Sequence, residues 1–403
     1  MSAGGPGALV IGSDYRSLGV VRSLGRHGVP VWVLRGDHEL AQWSRFCARS
    51  LPWSKGGEAA RVAYLLEIAE THRLVGWTLF PTEDETAALI ARHRDALAGP
   101  YRLSILADWD TLRVAYDKRR THELAARLGI AHPATSDAPT RDDVAAYNGP
   151  FPAIVKPAVS GLTSAKAWAA ADRAALLTSY DEASAVVDPR ILMIQERIPG
   201  DGRQQLSYAA LCHEGEPIAS IVARRTRQWP MDFGRASTYV ESVALPDVEE
   251  VATRFLRALR FSGLVEIELK RDARDGRLVL LDVNPRVWGW HTLGRRAGVD
   301  FPQLLWRMLE GEDLPRVRGA VGVRWVRALT DVPTALGEMR AGRTSVRAYL
   351  GSLRGPIELA VLAPDDPLPA IVELPGTAVL AWRRRRGERR TTQPSPPREV
   401  EVA

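Results

Sequence analysis

The chain has 403 residues, of which 45% are hydrophobic and 25% are charged, a balance typical of a globular protein with two or three folded units. Lys and Arg outnumber Asp and Glu by 54 to 48, but much of the excess lies at residues 383–390, so we expect no nucleic-acid partner. The two cysteines match no zinc-site spacing, and neither a secretory signal nor an apolar run of roughly 20 residues is found, so we predict a cytoplasmic protein.

The first hundred residues have the pattern of a parallel α/β unit. Apolar runs at 8–11 and 29–34 flank an amphipathic stretch at 18–27, which predicts strand, helix and strand. The alternation continues to about residue 106, so we predict a first α/β domain over 1–106. The turn after the first strand lacks the G-x-G-x-x-G spacing of a dinucleotide site, which favours an ordinary glycine turn over NAD binding.

The next part of the chain mixes strands and helices. A helix is predicted from Trp109 to Leu128, where Gly129 is a natural helix cap. Predicted strands follow at 153–156, 192–196, 207–212, 218–223, 263–270 and 278–283, a mixture that indicates an α+β domain. We predict this domain over 107–315, with a lid subdomain at about 130–195, and a C-terminal extension over 316–403 that ends in a basic, disordered tail.

The most informative segment is a pair of strands carrying carboxylates. Side chains two residues apart on a strand share a face. Glu266, Glu268 and Lys270 can therefore point together on the first strand, and Asp282, Asn284 and Arg286 can point together on the second. Such hard oxygen ligands suit Mg²⁺, with Mn²⁺ as a second candidate, and Arg286 would hold a transferred phosphoryl group. The alternative is a surface hairpin with alternating charges, but the apolar flanks favour buried strands.

Two lysines add positive charge of the kind that nucleotide phosphates require. Lys118 begins a predicted helix and Lys156 ends a predicted strand, although each alone is more often a solvated surface residue. The small-residue loop at 158–166 could close over a triphosphate or be a flexible connection. The apolar strand at 191–194 runs into a polar hinge at Gln195 to Ile198, whose backbone could meet adenine.

Taken in order, Lys118, Lys156, the hinge, Glu268 and the strand at 282–286 resemble the ATP-grasp superfamily. A narrower resemblance, to predicted carboxylate-amine ligases related to D-aspartate ligase, rests on 166–168, 200–203, 223–228, 232–234 and 288–290. The resemblance implies a Rossmann-like pre-ATP-grasp domain followed by a two-lobed ATP-grasp fold, with ATP and Mg²⁺ as cofactors.

The resemblance also implies roles for individual residues. Phosphates and adenine would be bound by Lys118, Lys156, Lys166, Gln195, Glu196, Ile198 and Asp201. Mg²⁺ would be bound by Glu268, Asp282 and Asn284, and Arg286 and Lys156 would be catalytic. Many members of the superfamily have Glu at the position of Asp282, so the shorter side chain here puts the binding of a second metal ion in question.

The implied reaction joins a carboxylate to an amine through an acyl-phosphate, with amino-acid-like substrates. Candidate substrate residues are Arg203, Arg224, Arg225, Trp288 and His291, although the arginines could equally form a solvated strand face. Asp14 and Glu83 to Glu85 could bind the amine, but capping of the following helix explains the acidic trio equally well.

Other functions remain open from the sequence. One is an ATP-dependent carboxylase or carbamoyl-phosphate-type enzyme that uses bicarbonate, and another is a non-catalytic nucleotide-binding module. Contact of the basic tail with a membrane is a further alternative, although a solvated tail is favoured. A homodimer is the suggested assembly.

Overall fold

The computed structural model describes residues 6–36, 39–159, 167–229, 231 and 236–377. Three groups of residues singled out above lie outside these ranges: the loop residues 160–166 with Lys166, the segment 232–234, and the basic tail. Among the helices of the described residues, none combines the length and the apolar character that crossing a bilayer requires.

The N-terminal region is a parallel sheet with helical connections. Its strands are β1 (Ala8–Ile11), β2 (Val31–Arg35), β3 (Cys47–Pro52), β4 (Trp77–Pro81) and β5 (Tyr101–Leu103). Its helices are α1 (Tyr15–Arg26), α2 (Glu58–Thr71), α3 (Asp84–Arg92) and α4 (Arg94–Leu97). The strands lie in the order β3-β2-β1-β4-β5, and Val10 pairs with Val33 on one side and Phe80 on the other. The order reverses between β1 and β4, the place where open α/β sheets bind ligands.

The helix predicted from Trp109 to Leu128 is two helices, and the single-helix prediction is wrong. They are α5 (Trp109–Tyr116) and α6 (Lys118–Arg127), separated by Asp117 in an extended conformation. The Asp117 side chain accepts a hydrogen bond from the Arg119 amide and so caps α6, and its backbone forms a bridge with Val159. This break places Lys118 at the first position of α6.

A small antiparallel sheet follows. It contains β6 (Thr135–Asp137), β7 (Ala153–Pro157), β8 (Trp168–Ala170) and β9 (Leu192–Glu196) in the order β6-β9-β7-β8. Helices α7 (Arg141–Ala145) and α8 (Arg173–Ser184) cover it. Its apolar core is its own, with Val155 and Ile194 of the sheet packed against Leu176 and Tyr180 of α8. This sheet lies within the predicted lid subdomain.

The largest sheet forms the centre of the molecule. Its strands are β10 (Gln205–His213), β11 (Glu216–Trp229), β12 (Ala236–Ser242), β13 (Gly263–Arg271), β14 (Leu278–Asn284), β15 (Val317–Arg318), β16 (Arg324–Val326) and β17 (Ile357–Leu359). The order is β14-β13-β10-β11-β12-β16-β17, and β15 pairs with β11. The strands β15 to β17 lie beyond Arg316, so the predicted C-terminal extension contributes three strands to this sheet.

Helices cover both faces of the large sheet. They are α9 (Pro246–Leu259), α10 (Thr292–Arg296), α11 (Phe301–Leu309), α12 (Ala328–Arg340), α13 (Val346–Ser352) and a helix over 368–377. Tyr208 and Ile267 pack on one face with Phe255 of α9, whereas Ala209 packs on the other face with Leu305 of α11. Because neighbouring residues of a strand point to opposite faces, the two faces of this sheet carry different sets of side chains.

Candidate active site

A group of oxygen-bearing side chains lies on neighbouring strands of the large sheet. In the antiparallel pair β13 and β14, Glu266 is opposite Asn284 and Glu268 is opposite Asp282. The Asn284 side chain donates a hydrogen bond to Glu268 Oε1 at 3.1 Å and to Glu266 Oε2 at 3.4 Å. The structure therefore brings together Glu268, Asp282 and Asn284, the three residues predicted to bind metal.

Buried cations hold two of these carboxylates. Lys118 Nζ lies 3.0 Å from Asp282 Oδ2, and Arg225 forms an ion pair with Glu268. Lys118 is 7% exposed and Arg225 is 6% exposed. Arg225 also donates from Nε to Ser237 Oγ at 2.7 Å. Since a buried charge is costly without a partner, each carboxylate and its cation hold the other in place.

Glu266 is a buried member of the same group that the sequence interpretation assigned no role. Its Oε1 accepts a hydrogen bond from Trp290 Nε1 at 2.8 Å. Burial, followed by repulsion from Glu268, raises the pKa of Glu266 to about 7. The site therefore contains more acidic groups than can all be ionised at low cost, which is an arrangement that favours a bound cation.

Lys156 reaches the same cluster from the end of β7. Burial, and then the positive charge of Lys118, lowers the pKa of Lys156 to about 8, while Asp282 and Glu268 act in the opposite direction. The two predicted phosphate-binding lysines are thus close enough to repel each other. They come from different elements, α6 and β7, that meet where the Lys118 amide donates to Ala158 O at 3.0 Å.

The predicted adenine hinge is held by a lysine from the large sheet. Lys270 Nζ donates to Ile198 O at 2.9 Å and to Gly200 O at 2.7 Å. Lys270 shares the face of Glu268 on β13, as the alternation predicts, and its ammonium group lies on the hinge backbone. Asp201 follows in the chain and caps a short turn by accepting from the Arg203 amide.

The two polar residues of the hinge differ in how they are satisfied. Glu196 pairs with Arg274 at 2.6 Å and also accepts from the Ala134 amide at 3.3 Å. Gln195 is buried, and its side-chain nitrogen has no hydrogen-bond partner among the described residues. A buried donor without an acceptor costs about 1–3 kcal/mol, so this nitrogen suits a polar ligand atom.

Arg286 joins the large sheet to the N-terminal sheet. Its Nη2 donates to Asn284 Oδ1 at 3.0 Å and to Asp84 Oδ2 at 2.8 Å. Asp84 begins α3, directly beyond the carboxyl end of β4. Burial alone would raise the pKa of Asp84, but the Arg286 guanidinium outweighs this effect and lowers it. The switch point of the N-terminal sheet, where the strand order reverses between β1 and β4, therefore borders the cluster around Glu268.

Further charged residues surround this switch point. Arg16 pairs with Asp14 at 2.7 Å and with Glu83 at 3.4 Å. Asp14 caps α1 by accepting from the amides of Arg16 and Ser17, so its position follows from local structure. Asp14 therefore caps α1, a role that the sequence interpretation considered only for the acidic trio at 83–85. Asp84 and Arg286 form a contact between sheets that local patterns do not reveal.

Two predicted acceptor-pocket residues are corrected by the structure. Trp288 is fully buried and packs edge to face on Phe301, with the ring centroids 4.9 Å apart. His291 is also buried, its Nε2 hydrogen-bonds to Arg16 O at 3.0 Å, and burial lowers its pKa to about 4. Both side chains stabilise the contact between α10, α11 and α1, because apolar rings and a neutral imidazole are what a dry interface accommodates.

The predicted substrate arginines lie on opposite faces of the large sheet. Arg225 faces Glu268, whereas its neighbour Arg224 faces the other side of the sheet, and Arg203 lies beside Arg224 there. Arg203 and Arg224 are therefore excluded from the cluster around Glu268.

The donor set fits a hard divalent cation. In the described part of the chain, no three His, Cys, Asp or Glu side chains are grouped so as to hold a metal ion. The set here is instead two carboxylates and an amide, ligands that suit Mg²⁺ together with water and phosphate oxygens. A divalent ion bound here would compete with Lys118 and Arg225 for the carboxylate oxygens.

Comparisons with known proteins find a family and relatives to which this chain is similar. The profile of a family described as "ATP-grasp in the biosynthetic pathway with Ter operon" matches residues 188–329. D-alanine–D-alanine ligase B of Xanthomonas campestris is 30% identical over 219 residues, covering 49% of this chain and 65% of the relative. The carbamoyl phosphate synthase large chain of Gemmatimonas aurantiaca is 24% identical over 216 residues, covering 52% of this chain and 19% of the relative. The chain thus spans less than two thirds of these relatives.

Solved structures share the fold at low sequence identity. An L-amino acid ligase from Bacillus licheniformis has a TM-score of 0.59 at 16% identity, covering 76% of this chain and 74% of that one. A biotin carboxylase from Campylobacter jejuni has a TM-score of 0.60 at 15% identity, covering 76% and 72%. N5-carboxyaminoimidazole synthetase from Staphylococcus aureus has a TM-score of 0.56 at 12% identity, covering 78% and 79%.

Proposed function

The chain belongs to the ATP-grasp superfamily, and from this premise we propose that it is an ATP-dependent carboxylate-amine ligase. It forms an amide through an acyl-phosphate and releases ADP and phosphate. The observation that carries the proposal is that three oxygen-bearing side chains lie against three cations next to the hinge. The oxygen-bearing residues are Glu268, Asp282 and Asn284, and the cations are Lys118, Lys156 and Arg225. Phosphoryl transfer needs this combination of oxygen ligands and positive charge.

The proposed nucleotide site lies between the small sheet and the large sheet. Lys118 and Lys156 bind the phosphates, and the hinge at Gln195 to Ile198 binds adenine. The buried Gln195 side-chain nitrogen there has no acceptor within the part of the chain that the structure describes. Glu268, Asp282 and Asn284 hold Mg²⁺, which neutralises phosphate charge when it is bound. Lys166 and Asp201 stay predicted members of this site, and Mn²⁺ stays a predicted substitute for Mg²⁺.

The chain's own residues position the phosphoryl transfer. A substrate carboxylate attacks the γ-phosphate directly, so no protein nucleophile is needed. Lys156 and Arg286 stabilise the negative charge that spreads over the transferring oxygens, as fixed cations in a partly dry site do. The ammonium form of the acceptor first loses a proton to water, and the neutral amine then attacks the acyl-phosphate carbon. Phosphate leaves with the electron pair of the broken C–O bond, and the nitrogen loses its second proton to solvent as the amide forms.

The proposed amine site is the carboxyl edge of the N-terminal sheet. Glu83 is 55% exposed and Asp84 is joined to Arg286, so a carboxylate edge adjoins the phosphoryl-transfer residues. An ammonium group is bound by carboxylates, which suits an amino-acid-like acceptor. Two free cysteines agree with a cytoplasmic location, and a homodimer stays a prediction.

The test is phosphate release from ATP and Mg²⁺ with pools of amino acids and small carboxylates. We expect release only when both a carboxylate and an amine are present, and its loss in Asn284→Ala. The matched control is Arg316→Gln, which changes an arginine that is 74% exposed and distant from the cluster. Release that needs bicarbonate and no amine would identify a carboxylase instead. Nucleotide binding without release in any pool would indicate a non-catalytic module.

The affinity for MgATP is expected to fall as pH rises through 8. Only the ammonium form of Lys156 binds phosphate, and its pKa of about 8 means that the charge is present below pH 8 and lost above it. Calorimetric titration at pH 7, 8 and 9 measures the effect. Lys156→Met should remove this pH dependence, and Lys55→Met, at an exposed surface position, should retain it. An unchanged pH dependence in Lys156→Met would remove Lys156 from the phosphate site.

A further inference from the structure

A second cleft lies on the face of the large sheet that is turned away from Glu268. It has a volume of about 530 Å³ and is closed on one side by α13. Its lining includes five arginines, which are Arg203, Arg224, Arg227, Arg271 and Arg324. This volume lies within the range of roughly 300–1,000 Å³ that is typical of small-molecule sites.

Strand pairing places the cleft on the reverse face of the sheet. Leu206 is opposite Arg224, Arg224 is opposite Glu241, and Glu241 is opposite Arg324, so one row of side chains crosses four strands. Arg225, the next residue of β11, points the other way to Glu268. The cleft and the proposed active site are therefore separated by the thickness of the sheet and share no side chain.

Arginine side chains dominate the lining of the cleft. Five of its lining residues are arginines, and Glu241 is the lining residue with a carboxylate. Four of the arginines have ion-pair partners: Arg203 with Asp201, Arg227 with Asp331, Arg271 with Asp247, and Arg324 with Glu241. These pairs hold the guanidinium groups in fixed positions around the opening.

Arg224 differs from the other four. It is half-buried, and within the described residues its side chain has no hydrogen bond, ion pair or ring contact. It sits at the centre of the cross-strand row, between Leu206 and Glu241. A partly buried guanidinium without a partner is costly, and an anion in the cleft would satisfy it.

We propose that this cleft binds a small organic anion that carries two or more phosphate or carboxylate groups. Guanidinium groups bind both kinds of oxygen with paired hydrogen bonds. Arg224 offers such donors, and Arg203 and Arg271, whose side chains are 54% and 37% exposed, can add donors for a second anionic group. Leu206, Leu245 and the Tyr239 ring provide apolar surface for the carbon skeleton of the ligand. The site is distinct from the nucleotide site and does not depend on the ligase activity.

The test is calorimetric titration of the full chain with citrate and, separately, with pyrophosphate. Lys156→Met is used as the background, because it weakens anion binding at the proposed phosphate site. We expect at least one of the two probes to bind the Lys156→Met variant. Adding Arg224→Gln to this variant should weaken the binding of that probe by at least about tenfold. Arg316→Gln added instead should leave the affinity unchanged. The tighter probe distinguishes a carboxylate ligand from a phosphate ligand.

Two outcomes would overturn the proposal. One is that neither probe binds the Lys156→Met background, and the other is that Arg224→Gln binds as tightly as its Arg316→Gln control. Misfolding does not obscure the result, because Arg224 has no partner to lose within the described residues and the unfolding temperature of Arg224→Gln should match that of the control. Because binding is measured without turnover, failure here is distinguishable from failure of the ligase proposal.

Discussion

Glu268→Gln is expected to lower kcat for ATP-dependent phosphate release by at least about 100-fold. Glu268 lies at the centre of the cluster, where it accepts from Asn284 and pairs with Arg225. Glutamine keeps the size of the side chain but removes the negative charge that a divalent cation requires. The activity is measured with the substrates found in the pooled assay, and the affinity for Mg²⁺ is measured from the metal dependence of the rate.

The control separates lost chemistry from lost folding. Glu312→Gln changes an exposed glutamate that pairs with Arg307 at 2.7 Å, far from the cluster, and should retain full activity. Glu268→Gln leaves the buried Arg225 without its carboxylate, so its unfolding temperature is measured alongside and activity is compared well below it. If folded Glu268→Gln retained wild-type kcat and metal dependence, the proposed metal site would be wrong.

Arg286→Met is expected to lower kcat by roughly 100- to 1,000-fold, because it removes a fixed cation from the proposed phosphoryl-transfer site. Arg286 has a second role, since it bridges Asn284 and Asp84. Asp84→Asn tests that role alone, as it removes the charge of the partner and keeps a group able to accept the hydrogen bond. We expect Asp84→Asn to cost much less than Arg286→Met.

A double-mutant comparison determines which role dominates. If Arg286 acts on the transferring phosphoryl group, Arg286→Met remains strongly impaired whether or not Asp84 is changed. If it only joins the two sheets, the two single variants and the double variant will lose the same activity. That second result would make Arg286 a positioning residue and would contradict its proposed contact with phosphate.

The sequence by itself determined features that depend on local periodicity. A strand presents every second side chain to one face, so Glu266 and Glu268, and likewise Asp282 and Asn284, share faces wherever the strands lie. The turn between the two runs then brings the strands together as neighbours. The parallel N-terminal sheet follows equally from short apolar runs separated by amphipathic helices.

Only the tertiary structure decided which charges meet across the fold. Local sequence patterns do not show that Lys118 pairs with Asp282. Nor do they show that Arg286 pairs with Asp84, which lies 202 positions away in the chain. Such contacts depend on how whole sheets pack, because one long side chain can reach partners on several elements.

The same reason explains the corrections. Periodicity places Arg224 and Arg225 on opposite faces of β11, but it does not say which face meets the carboxylates, since that depends on the register of β10, β11 and β13. Periodicity also does not show whether an aromatic side chain lines a substrate pocket or is buried between helices, as Trp288 is. Local sequence determined the faces of the elements, and long-range packing determined which faces met, because burial and charge pairing are decided between segments distant in the chain.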